Sequence, residues 1–151
     1  MDPRDFGAYV AQLVGPGRHG AGVARPIEES RIESLQRMMR ALERGDLDAF
    51  QREMHPDVEV NIHAPADFPW RLTARGHDEV RAMLEHNFAA VTDQRPEVLS
   101  VVAQGNQLVV VAREHGRHRA SGAPYDYHFV QVFTFREDRV SRVLELVTLT
   151  R

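Results

Sequence analysis

The sequence contains no cysteine and no lysine, and all 19 of its basic residues are arginine. Without cysteine there are no disulfides, no thiolate metal sites and no cysteine nucleophile. Without lysine there is no Schiff-base amine and no phosphate-loop lysine. Long apolar runs are also missing. Nothing matches a signal peptide or a membrane span, which gives a cytoplasmic location without membrane association as the expectation. Excess positive charge is absent too: 19 basic groups stand against 22 acidic ones, for a formal net charge of -3. The arginines are interleaved with Asp and Glu along the chain, so no nucleic-acid footprint is expected.

What is present fits one globular domain: 151 residues, 42% hydrophobic and 27% charged. A chain of this length buries roughly 70% of its unfolded surface, enough for a core with an internal pocket. Its chemical repertoire is eight histidines, carboxylates, arginines and a few hydroxyls. Such a set suits proton transfer and electrostatic stabilisation.

Along the chain, Phe6, Tyr9, Val10, Leu13 and Val14 have helical spacing before the glycine-rich break at Gly15 to Gly22. Residues 1–25 therefore read as a flexible arm with a short helix, and residues 26–151 as the domain. From Pro26, Ile27, Ile32, Leu35, Met38, Met39 and Leu42 share a helix face that stops at Gly45. Asp46 caps a second helix to Met54, and His55-Pro56-Asp57 reads as a turn. Val58 to His63 alternates as a strand, Ala64 to Thr73 is a loop, and Gly76 to Val91 is a third helix. Four strands follow: Glu97 to Gln104, Gln107 to His115, Tyr125 to Phe135 and Arg139 to Thr150. Helices first and antiparallel strands afterwards predict an α+β fold, with helices on one face of a curved sheet.

Four runs carry a family resemblance: Leu42 to Phe50 (LERGDLDAF), His55 to Val58 (HPDV), Arg75 to Arg81 (RGHDEVR) and Val132 to Val140 (VFTFREDRV). Together they resemble the SnoaL-like branch of the nuclear transport factor two-like superfamily, from about residue 30 onward. The resemblance implies a conical α+β barrel: three to four N-terminal helices packed on a strongly curved, mostly antiparallel sheet that encloses an apolar pocket. It also implies a homodimer and no cofactor or metal. Members include polyketide cyclases, steroid isomerases, limonene-type epoxide hydrolases, PhzA/PhzB proteins and non-catalytic binders.

Residue by residue, the steroid-isomerase set falls on Met38, on Ile62 or His63, and on Gln131, and departs at each. The epoxide-hydrolase set falls on Asn61, His63, Arg113, His115 and Glu145, keeping the arginine. The PhzA/PhzB pattern is similar in Glu114-His115-Gly116 and Tyr127-His128-Phe129, and places that family's catalytic glutamate at Glu145. Its helical histidine corresponds to Met83, with His86 one turn later on the same face.

Glu145 lies among aliphatic residues in Val143-Leu144-Glu145-Leu146-Val147, where burial would raise its pKa into a useful range for an acid or base. Alternatively it is a structural carboxylate paired with Arg113 across the sheet. Arg113 and His115 alternate on one strand face, as anion clamp and proton shuttle in the functional reading. The expected catalytic set is Glu145, His115, Arg113 and His63. Asn61, Trp70, His86, Tyr127, Phe129 and Gln131 are the expected substrate-binding residues. His115, His118 and His128 lack the spacing of zinc ligands, and no metal is expected. The leading expectation is a cofactor-independent cyclase, isomerase or lyase of secondary metabolism acting on an apolar or aromatic intermediate. The alternatives are a binding protein of the same fold and an epoxide hydrolase.

Overall fold

The computed structural model describes residues 26–150; the helix expected at Phe6 to Val14 lies outside them. Helix α1 spans Pro26–Glu43 and buries Ile32, Leu35, Met38 and Ala41 on one face. Proline at its first position has the φ a helix needs and no N–H to lose, and Glu28 and Glu29 sit in the positive first turn. Its end is chemically specified. Gly45, at φ 67°, donates to the Leu42 carbonyl at 3.0 Å, while the Asp46 N–H reaches the Ala41 carbonyl at 2.9 Å. This paired closure satisfies the helix's last carbonyls. The Asp46 carboxylate then accepts the Ala49 N–H at 2.9 Å, capping α2 (Leu47–Arg52).

Strand β1 (Met54–His63) already includes His55, Pro56 and Asp57, so the turn expected there is absent. The register between Met54 and Glu59 slips, and such an irregularity admits a proline that cannot donate to the ladder. A short strand not anticipated, β2 (Thr73–Arg75), pairs antiparallel with β1. Helix α3 (Gly76–Ala89) follows and buries Val80 and Met83; the Arg75 N–H before it is accepted by Glu79 at 2.7 Å.

Strands β3 (Val91–Gln104), β4 (Gln107–His118), β5 (Pro124–Arg136) and β6 (Arg139–Leu149) form long antiparallel hairpins. β3 starts six residues earlier than expected because a slip between Thr92 and Arg95, with Asp93 at φ 55°, carries pairing through the irregular stretch. The sheet order is β2-β1-β6-β5-β4-β3, with β1 and β6 parallel. It is mostly antiparallel and not closed, with β2 and β3 at its edges. Helices on this sheet give the α+β cone.

Strand parity decides what faces inward. Val58, Val60 and Ile62 on β1, Leu108, Val110 and Ala112 on β4, and Phe133 and Phe135 on β5 are all buried. Two of the sheet's turns are clamped by buried Arg31 of α1. Its guanidinium donates to the Glu137 carbonyl at 2.6 Å and to Asn106 at 3.0 Å, and lies 4.7 Å over the Phe135 ring. One helical cation thus ties together the β3–β4 and β5–β6 turns. Among the described residues no helix is long and apolar enough to cross a membrane.

Candidate active site

Between the helices and the inner face of the sheet lies a cavity of about 190 Å³. Helices α1 and α3 contribute Met39, Leu42, Val80, Met83 and Leu84, and β1 contributes Val60 and Ile62. Phe50, Trp70, Phe129 and Phe133 supply aromatic surface. For scale, a dry apolar cavity of about 150 Å³ accepts benzene. This one therefore admits about one substituted ring.

Two carboxyl groups project into this apolar space, Glu145 from β6 and Glu114 from β4. Glu145 stands opposite Gln131 in the β5–β6 ladder, whose amide N–H donates to its Oε2 at 3.1 Å. The other oxygen, Oε1, accepts no hydrogen bond from a described residue. Burial pushes this carboxyl up to about 7, over the opposing bond from Gln131, and the nearby Glu114 charge pushes the same way. A group poised there exchanges its proton readily at neutral pH.

Glu114 is held differently. The Tyr125 hydroxyl donates to Oε2 at 2.9 Å and the Gln94 amide to Oε1 at 3.4 Å. Burial raises its pKa, and these two donors pull it back in part. Tyr125 reaches Glu114 by lying across Gly116, its cross-strand partner; a β-carbon at Gly116 would overlap the tyrosine ring and hydroxyl. Burial and the Glu114 charge raise the Tyr125 pKa, so the phenol stays a donor. Tyr125 in turn stacks on Tyr127, with centroids 4.2 Å apart and planes at 9°.

The expected residues divide between two faces. Glu145, Gln131, Phe129 and Trp70 line the cavity. Tyr127 is wholly buried behind it, packed on Phe68 at 4.4 Å and Trp70 at 5.7 Å, with its hydroxyl 3.2 Å from His118 Nε2. Arg113 and His115 are on the outer face, because Ala112 and Glu114 take the inner positions of β4. The expected pair of Glu145 with Arg113 is not formed. Arg113 instead makes a bidentate contact to Asp126 at 3.0 and 2.6 Å, and His115 Nδ1 lies 3.4 Å from the same carboxylate. The Arg113 bonds, aided by the His115 charge, hold Asp126 down to about 2.

Asn61 and His63 also face outward, since Val60 and Ile62 point inside; His63 is exposed. His86 is exposed as well, its Nε2 2.9 Å from the Pro69 carbonyl, where it anchors the Trp70 loop. The epoxide-hydrolase set is thus not gathered around the cavity. His128 meets Thr150 at 2.9 Å, apart from His118, and no metal-holding group of His, Asp and Glu occurs among the described residues.

Three polar cavity residues, Glu114, Gln94 and Asn87, were not among the expected set. Glu114 had a signal: it is the polar residue two positions after Ala112 in the Leu108-Val110-Ala112 series. That series competes with Val109-Val111-Arg113, equally apolar at its start. Gln94 sits in the irregular stretch of β3, and Asn87 is held in place by the Arg71 backbone, accepting from its N–H at 2.9 Å.

The solved structures with the same architecture include an NTF2-like protein from Burkholderia xenovorans LB400. It is 22% identical, with a TM-score of 0.70 over 80% of this chain and 91% of that one. A candidate SnoaL-like polyketide cyclase from Jannaschia sp. CCS1 is 22% identical, with a TM-score of 0.71 over 83% and 91% of the two chains. TerC, co-crystallised with polyporic acid, is 21% identical, with a TM-score of 0.66 over 79% and 92%. Among curated proteins, none matches the sequence. The sequence profile of the SnoaL-like domain matches residues 35–143, and with the cone fold beneath it the chain belongs to the SnoaL-like family of the nuclear transport factor two-like superfamily.

Proposed function

We propose that this protein is a cofactor-independent enzyme of the cyclase, isomerase or lyase type, acting on a small apolar or aromatic biosynthetic intermediate of secondary metabolism in the cytoplasm. The observation that carries the reading is the Glu145 carboxyl inside an apolar cavity, one oxygen held by Gln131 and the other open. Ionised, it is a base that removes a proton beside a carbonyl or imine. Glu114, held by the Tyr125 hydroxyl and the Gln94 amide, is the second acidic group facing the substrate. Arg113, His115 and His63 have no part in this scheme, being on the outer face. Phe129 and Trp70 hold the apolar body of the substrate. TerC's co-crystallisation with polyporic acid and the cyclase candidate among the structural relatives support a small-molecule reading.

The experiment needs no natural substrate. Wild-type protein should accelerate exchange of the α-protons of 2-indanone in D2O, followed by NMR, and Glu145→Gln should lose about 10²–10⁴-fold of that acceleration. Equal exchange by both proteins, with the ketone bound, would favour a binder of the same fold.

We also propose a homodimer through the outer sheet face. Val109, Val132 and Leu144 form one cross-strand row there, and Val111, Val130 and Leu146 the next. Leu146 is 43% exposed, and a contiguous apolar stripe of this kind marks an interaction surface.

A further inference from the structure

The cavity's charges are all of one sign. Two carboxyl groups line it, Glu145 on β6 and Glu114 on β4, and among the described residues no arginine or histidine does. The other elements packed around it contribute no titratable group: α1, α2, α3 and β1 give apolar side chains and the Asn87 amide, while β3 and β5 give Gln94, Gln131 and aromatic rings. The amide donors are committed, Gln131 to Glu145, Gln94 to Glu114 and Asn87 to the Arg71 carbonyl at 3.2 Å. Glu145 Oε1 accepts a hydrogen bond from no described residue and is open to the cavity.

An anionic ligand would meet two acidic groups with no counter-charge, at a heavy desolvation cost. A neutral hydrocarbon would fill the space and leave Oε1 unsatisfied. A cation with N–H groups satisfies both conditions, and the faces of Trp70, Phe50, Phe129 and Phe133 attract positive charge as well. We propose that the cavity takes a substrate bearing a protonated amine on a ring-sized apolar body, with the ammonium between Glu145 and Glu114. This rests on reading the cavity as the active site and adds the class of substrate to it. The ammonium also ionises Glu145, preparing the base, so binding below neutrality releases a proton and weakens as the pH falls.

Trp70 is the chain's single tryptophan and stands in the cavity wall, so its fluorescence reports occupancy. Three probes of one shape separate the cases: benzylamine (cationic), ethylbenzene (neutral) and benzoate (anionic). At pH 8 benzylamine should bind at least about tenfold more tightly than ethylbenzene, and benzoate should not bind. Benzylamine affinity should fall between pH 8 and pH 5. Glu145→Gln and Glu114→Gln should each reduce the preference while still binding ethylbenzene, which shows that the cavity has formed. Equal or tighter binding of ethylbenzene, any preference for benzoate, or no benzylamine binding overturns the proposal. Amine preference without Glu145-dependent proton exchange would remove the acid–base reading alone. Exchange without amine preference would remove only the substrate class.

Discussion

Glu145 takes its hydrogen bond from Gln131, directly across the β5–β6 ladder at 3.1 Å, and Arg113 faces the other way. A neutral amide orients the carboxyl without neutralising it. A guanidinium in the same place would have kept the group permanently ionised.

That difference has a thermodynamic signature. The folded pKa of Glu145 lies above its unfolded value of 4.5, at about 7, so the folded state holds the proton more tightly. Its relative stabilisation is complete below pH 4.5 and is lost as pH rises through 7. Replacing Glu145 by Gln removes this dependence, and the variant should gain on wild type above pH 8 by on the order of 3 kcal/mol. Urea unfolding at pH 5 and pH 8.5 measures it; parallel stability curves for the two proteins would refute the assignment.

Arg113 should be dispensable for the site. Arg113→Gln breaks the contact to Asp126 on the outer face and should leave benzylamine affinity and ketone exchange within about twofold of wild type, as expected for a half-buried ion pair that does not line the cavity. Loss of either property would place Arg113 back in the chemistry.

Gly116 is fixed by packing rather than by backbone conformation, since its α-carbon lies under the Tyr125 ring. Gly116→Ala should cost about 1–3 kcal/mol in urea unfolding and displace the hydroxyl from Glu114. Wild-type stability in that variant would mean Tyr125 does not lie across the glycine.

Arg31→Met should destabilise the fold by about 3 kcal/mol, the upper range for hydrogen bonds to a charged group, because the Glu137 carbonyl and Asn106 lose their shared donor. Differential scanning calorimetry reads the loss; a variant as stable as wild type would remove the clamp.

If the outer face joins two chains, Leu146→Asp should yield a monomer in sedimentation velocity where wild type is a dimer. A dimeric variant would move the interface elsewhere.

Much of this architecture is legible in the residues because its signals are local. Gly45 and Asp46 mark the α1–α2 junction, and Tyr127, Phe129 and Gln131 share an inner-side parity that also brings Glu145 inward. The site is harder to read, since period-two patterning names two faces without saying which is inside. On β4 both faces begin with aliphatic residues, so Arg113 with His115 and Glu114 compete on equal terms. The deciding facts are distant in sequence: helices cover the Leu108-Val110-Ala112 side, and Tyr125 closes over Gly116. On β1 the polar alternation of Asn61 and His63 marks the outer surface, because the cavity of this fold is its apolar side. β2, at three residues, is too short to show a period.

The most direct test is the titration of the Glu145 carboxyl itself, by NMR of protein carrying 13C-labelled glutamate and assigned against Glu145→Gln. The account predicts a midpoint near 7, moved downward by bound benzylamine. A midpoint at or below 4.5, the ordinary glutamate value, would contradict it.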